Sequence, residues 1–126
     1  MRYNNMILPP LVSLCLLVGC ARPSHDVNSD LARETLTKAL EHWRDGNPPE
    51  TLRSGSQPIT VMDPDWNGGL ALASYDILGT GDSKGANLYC SVRLILRDLS
   101  GQEQQKAVSY VVGTSPALTV FRDLLH

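Results

Sequence analysis

The sequence predicts an α+β domain in which one long N-terminal helix packs on a curled antiparallel sheet of four to five strands. Residues 30–45 set Ala32, Leu36, Ala39, Leu40 and Trp43 on one face of a 3.6-residue repeat. After Gln57 the apolar period becomes two and stays so to the end of the chain. The longest alternating run, residues 87–98, would reach about 40 Å if fully extended, against about 24 Å for the helix. A flat sheet of that length would overhang its helix, so twist and bulges must wrap the strands around residues 30–45.

Ahead of the helix, Arg2 and the amino terminus supply positive charge. Residues 6–18 form an apolar run broken only by Pro9, Pro10 and Ser13, which is the layout of a signal peptide. The run is shorter than the roughly 20 apolar residues that cross a bilayer core. It closes on Leu17-Val18-Gly19-Cys20, and these four residues resemble the bacterial lipobox. The resemblance implies cleavage before Cys20, a diacylglyceryl thioether on its sulfur and an amide-linked acyl chain of the palmitate type. The chain then divides into a signal peptide (1–19), a lipidated cysteine with its tether (20–29) and a single α+β domain (30–126). Several acyl chains hold a protein far more firmly than one. Ala21 follows the cysteine where Asp would stand for inner-membrane retention in enterobacterial precedents. The expected location is therefore the cell envelope, anchored to the outer (or cytoplasmic) membrane and facing the periplasm or the surface, with the bilayer as partner through acylated Cys20.

Removal of residues 1–19 leaves 107 residues, enough for one domain and too few for two. Only Arg2 among the charged residues leaves with them, so ten basic residues face thirteen acidic ones and the formal charge becomes −3. No basic field points to nucleic acid as a partner. Cys15 is removed and Cys20 is alkylated, which leaves Cys90 without a partner for an internal disulfide.

Residues 21–29 are polar, contain Pro23 and His25 and show no apolar period, so they read as a tether reaching at most about 30 Å. Ser29 or Asp30 is placed to cap the helix, Glu34 and Lys38 pair four residues apart, and Gly46 followed by Pro48 and Pro49 ends it. Trp43 anchors the helix on the sheet, and His42 faces water at the negative helix end. Residues 49–53 read as one more helical turn. Strands are expected over 59–62, 70–78, 87–98, 104–113 and 117–122, with connectors at 79–85, 99–101 and 114–116.

One helix followed by a strand meander resembles the cystatin-like cone of the nuclear-transport-factor-2-like superfamily, which includes SnoaL-like proteins. Residues 111–122 also look like the C-terminal end of small uncharacterised planctomycete lipoproteins, which bring a fold class but no activity. In the superfamily's enzymes, acid–base residues project into the cone, so the resemblance makes Asp76 and Tyr110 the catalytic candidates here. Strand alternation separates Tyr75 from Asp76 and sets Tyr89 opposite Cys90, so spacing alone assembles no catalytic set.

The sharpest local pattern is Asp63-Pro64-Asp65-Trp66-Asn67-Gly68. It matches the first half of a calcium loop, with Asp63, Asp65 and Asn67 as alternate oxygen donors and Gly68 at the bend. Ser74 stands where the closing bidentate acid belongs, and no helix follows. The competing reading is a turn in which Asp63 and Asn67 satisfy backbone groups and Trp66 tucks beneath the sheet. No cofactor is expected. Cys90 reads as a small buried hydrophobe. Arg93 and Arg97 share a mixed sheet face with Tyr89 and Ile95, which suits a protein partner or a homodimer. Function therefore reads first as a non-enzymatic binding or assembly module of the envelope, and second as a SnoaL-like pocket binding or transforming a small apolar ligand.

Overall fold

The computed structural model describes residues 26–125; the apolar run, the lipobox residues, Cys20 and His25 lie outside the described residues. The described elements are α1 (Ser29–Arg44), a 3₁₀ turn (Pro49–Leu52), β1 (Ile59–Met62), α2 (Pro64–Asn67), β2 (Ala71–Lys84), β3 (Asn87–Arg97), β4 (Glu103–Gly113) and β5 (Leu118–Arg122).

Helix α1 is capped one residue earlier than the sequence suggests. Asn28 is extended, and its side chain accepts a hydrogen bond from the Leu31 amide at 3.1 Å. Ser29 instead spends its hydroxyl on the Ser83 hydroxyl at 2.8 Å. Ala32, Thr35, Leu36, Ala39, Leu40 and Trp43 are buried against the sheet. The expected Glu34–Lys38 pair gives way to Asp30–Arg33 and Glu41–Arg44, each three residues apart. Gly46, at φ +84°, and the prolines behind it stop the helix. The helix is sixteen residues long and begins well inside the chain, so the long N-terminal helix of the sequence reading is not what the fold contains.

The sheet has five strands in the order β1-β5-β4-β3-β2. It is mixed, which corrects the expected all-antiparallel sheet: β1 pairs with β5 in parallel, Ile59 against Leu118 and Met62 against Phe121, while the other pairs are antiparallel. The reason lies in the connection. The chain leaves β1 at one edge, crosses through α2 to start β2 at the opposite edge, and returns by hairpins until β5 arrives beside β1 running the same way.

Strand β2 does not stop at Leu78 but runs on through residues 79–84. Register shifts between Leu72 and Ser74, and again between Leu78 and Asp82, absorb extra residues while pairing with β3 continues. Gly79 and Gly81 sit at φ +71° and +87°, backbone that other residues rarely adopt. The first shift inverts the alternation, so that Tyr75 and Ile77 join Leu72 on the helix side, opposite Leu94 and Val92. The actual hairpin turn is only Gly85-Ala86.

Helix α1 touches strands at both sheet edges, β1 and β2, as well as β4 and β5 between them. One straight helix can do so only if the sheet curls around it. The concave side holds the core, in which Leu36, Leu40, Leu88, Val92, Leu94 and Tyr110 are fully buried. The other side is convex and carries Asp76, Arg93, Arg97, Tyr89 and Phe121, none of them buried.

Candidate functional site

The sheet order brings three polar residues into one cross-strand row. Tyr110 on β4 lies opposite Arg122 on β5, and Asp63 follows β1 directly, where the parallel register sets it beside Arg122. Asp63 is 1% exposed and caps α2, accepting from the Asp65 amide at 3.0 Å and the Trp66 amide at 3.3 Å. The Arg122 Nη2 donates to both its oxygens, at 2.9 and 3.0 Å, and the Tyr110 hydroxyl donates to Oδ2. The Arg122 Nη1 reaches Asp65 at 2.9 Å, and the Lys106 Nζ reaches the same oxygen at 3.0 Å. The guanidinium also lies 5.3 Å from the Tyr110 ring centroid.

Burial above all, and then the Asp63 charge, pushes the Tyr110 hydroxyl far above its ordinary range. Burial works against the charge of Asp65, but the hydrogen bonds from Lys106 and Arg122 outweigh it and hold the carboxyl below its usual value. Tyr110 is thus a locked donor and Asp65 a locked anion. Neither is poised to exchange a proton near neutrality.

This arrangement settles where the catalytic and calcium candidates stand. Asp76 lies on the convex face opposite Arg93, with its carboxylate 4.0 Å from the guanidinium and 73% exposed, whereas Tyr110 is buried on the concave face. The two sit on opposite sides of the sheet and do not converge. Of the calcium candidates, Asp63 and Asp65 have their oxygens on Arg122 and Lys106, and Asn67 is exposed at the end of α2. A cation would have to displace two others. Among the described residues no group of three or more His, Cys, Asp or Glu is placed to hold a metal. The six-residue motif is instead a capped helical turn whose carboxylates tie the C-terminal strand to β1. Cys90 is buried in the core, where burial pushes its thiol up against the weaker opposing pull of Arg33.

Helix α2 also builds a surface groove. Its Trp66 stacks on Trp43, with centroids 5.2 Å apart and planes 5° from parallel. Both indoles are pinned: Trp43 Nε1 donates to the Leu70 carbonyl at 2.8 Å and Trp66 Nε1 to the Asn47 carbonyl at 3.0 Å. Trp43 therefore anchors α1 on Trp66 and the start of β2. His42 does not simply face water, since its Nε2 meets the Thr51 hydroxyl. Between residues 46–50 and 66–71 lies a groove of about 360 Å³, walled by Trp43, Pro48, Pro49, Trp66 and Leu70 and rimmed by Asn47, Glu50 and Asn67. Its size falls at the low end for a binding pocket.

Sequence reasoning missed Arg122, Lys106 and the Glu41–Tyr75 bond of 2.6 Å. A signal for Arg122 was present. It shares the inward phase of β5 with Leu118 and Val120, and a charge in phase with core positions requires a buried counter-charge. Lys106 and Tyr75 gave no such signal, because their partners depend on sheet order and on the bulge.

No family model matches this chain, and no curated protein or solved structure is significantly similar to it.

Proposed function

We propose that the chain is a cell-envelope lipoprotein, held at a membrane through acylated Cys20, whose α+β domain acts as a non-enzymatic binding or assembly module. The observation that supports this most is the filled interior. The space between α1 and the sheet, which a SnoaL-like pocket would need open, is occupied by Leu36, Leu40, Val92, Leu94, Cys90 and Tyr110. Read as a cystatin-like cone, it is a closed one. Its deepest polar groups, Asp63, Tyr110 and Arg122, are bonded to one another. Such a domain has its outer surface to offer, and the tryptophan-walled groove between α1 and β2 is the concave part of it suited to a partner. The lipobox residues support the anchor from sequence.

The test is crosslinking in native membranes. A photoreactive residue at Asn67, on the groove rim, is expected to yield a discrete crosslinked species identified by mass spectrometry, and Pro49→Arg is expected to abolish it. Turnover of a small apolar substrate, lost in Tyr110→Phe but not in Pro49→Arg, would establish the pocket reading instead.

A further inference from the structure

The convex sheet face is not uniformly polar. Cross-strand register aligns Met62, Phe121, Val111 and Tyr89 in a single row across β1, β5, β4 and β3. Met62 is 58% exposed, and Leu124, which lines a recess of about 340 Å³ together with Met62 and Phe121 at the β1 end of the row, is 73% exposed. At the other end the Lys84 ammonium lies 5.0 Å from the Tyr89 ring centroid. An apolar row ending in a tyrosine and a lysine is the composition that settles at the boundary between acyl chains and headgroups.

Where the chain enters the domain decides what this row can meet. The Val27 amide donates to the Gly85 carbonyl at 2.9 Å and the Asn28 amide to the Thr114 hydroxyl at 3.1 Å. The tether is therefore fixed at the end of the sheet that carries the β2–β3 turn. Tyr89 is four residues from Gly85, and Val111 three from Thr114, so the row lies within about 13 Å of the entry point along the strands. Cys20 is seven residues before Val27, a span of at most about 23 Å. We propose that this row rests on the bilayer that holds Cys20, so that the domain lies on its convex sheet face. The proposal rests on the anchoring of Cys20.

Curvature favours a bilayer over a second copy, because two convex faces touch only along a line whereas lipid conforms to one. Asp82, paired with Tyr89, and Asp123, beside β5, offset Lys84, and further along the same face Asp76 and Glu103 pair with Arg93 and Arg97. Apolar contact rather than charge thus carries the interaction, and added salt is expected to leave it unchanged.

The experiment uses the full lipidated chain, extracted from membranes and reconstituted in vesicles of phosphatidylcholine and phosphatidylglycerol. Met62→Cys carries a nitrobenzoxadiazole label, with Leu124→Cys as a second position and Thr37→Cys, on the exposed side of α1, as the reference. Labels at 62 and 124 are expected to show blue-shifted emission and quenching by acyl-chain doxyl lipids at low and high salt alike, and the label at 37 neither. Protein that floats with the vesicles while the labels at 62 and 124 stay unquenched overturns the contact and leaves the anchor standing. Protein that does not float overturns both. A blue shift that grows with protein concentration in the absence of vesicles assigns the face to a second copy and overturns the bilayer contact.

Discussion

At the residue scale, the Asp63–Arg122 pair can be separated from the cap that Asp63 also provides. Asp63→Asn keeps a side-chain oxygen for the Asp65 and Trp66 amides, since Asn caps about as well as Asp, but leaves the buried Arg122 guanidinium with Asp65, at 2.9 Å, as its one remaining counter-charge. Breaking a buried pair from one side costs about 3–5 kcal/mol when the charge is left uncompensated; with Asp65 in place the loss should fall near the lower end, about 3 kcal/mol, still a large share of the roughly 5–15 kcal/mol that holds a typical domain. Urea unfolding should show that loss, whereas Tyr110→Phe should cost only about 1 kcal/mol, because Arg122 still covers the same Asp63 oxygen. Asp65 adds a pH dependence. Its carboxyl is held below the unfolded value, so the stabilisation is present above about pH 4 and is lost as pH falls through the folded value. Urea midpoints measured from pH 6 down to pH 2 should decline below about 4, and Asp65→Asn should flatten that limb. Tyr75 gives the opposite sign. Burial, and then its bond to Glu41, pushes the hydroxyl up to about 12. Its contribution is complete below about 10, the unfolded value, and fades as pH rises through the folded one. Ultraviolet titration should show a late phenolate step that Tyr75→Phe removes.

At the element scale, the bulges in β2 decide which side chains reach the core, and the glycines decide whether the bulges can form. A Cβ on Gly81, at φ +87°, would lie 3.0 Å from the Leu88 side chain and 3.1 Å from the Tyr89 carbonyl, whereas one on Gly79 would meet nothing within 4 Å. Gly79→Ala should therefore cost about 1 kcal/mol of backbone strain alone. Gly81→Ala should cost about 2–3 kcal/mol, because Leu88 is fully buried and cannot retreat. Thermal or urea unfolding of the two variants side by side checks the difference. The same strand shows what was legible in the sequence. The alternation in β3, the helical stripe in α1 and the bounds of β1 follow from local period alone. Gly79-Thr80-Gly81 reads locally as a turn, and only pairing with β3 makes it strand. Likewise the position of β1 at the far edge, and with it the mixed sheet, depends on β5, which is 55 or more residues away. The site was legible in the same proportion. The residues of Asp63-Pro64-Asp65-Trp66-Asn67-Gly68 were singled out, but as oxygen donors for a metal, because the cations that occupy them come from β4 and β5.

At the scale of the whole molecule, the proposed anchor and the described fold fall in separate parts of the chain. Among the described residues, the Val27 amide bonds to the Gly85 carbonyl where the domain starts, and the described domain contains one thiol, Cys90, buried and unpaired. Within the described domain no disulfide can therefore form, even in an oxidising compartment, where small domains often depend on one. The lipobox reading assigns its chemical task to Cys20, which lies outside the described residues. These two facts lead to a paired prediction. Cys20→Ser should abolish palmitate incorporation in cells and release the chain from the membrane fraction, yet leave the melting temperature of the purified domain where it was. Dithiothreitol should not shift that temperature either. Palmitate labelling that persists in Cys20→Ser would remove the anchor. A melting temperature that fell with the substitution would show that the tether packs on the domain beyond Val27, and the reach of about 23 Å between lipid and sheet would then be shorter still.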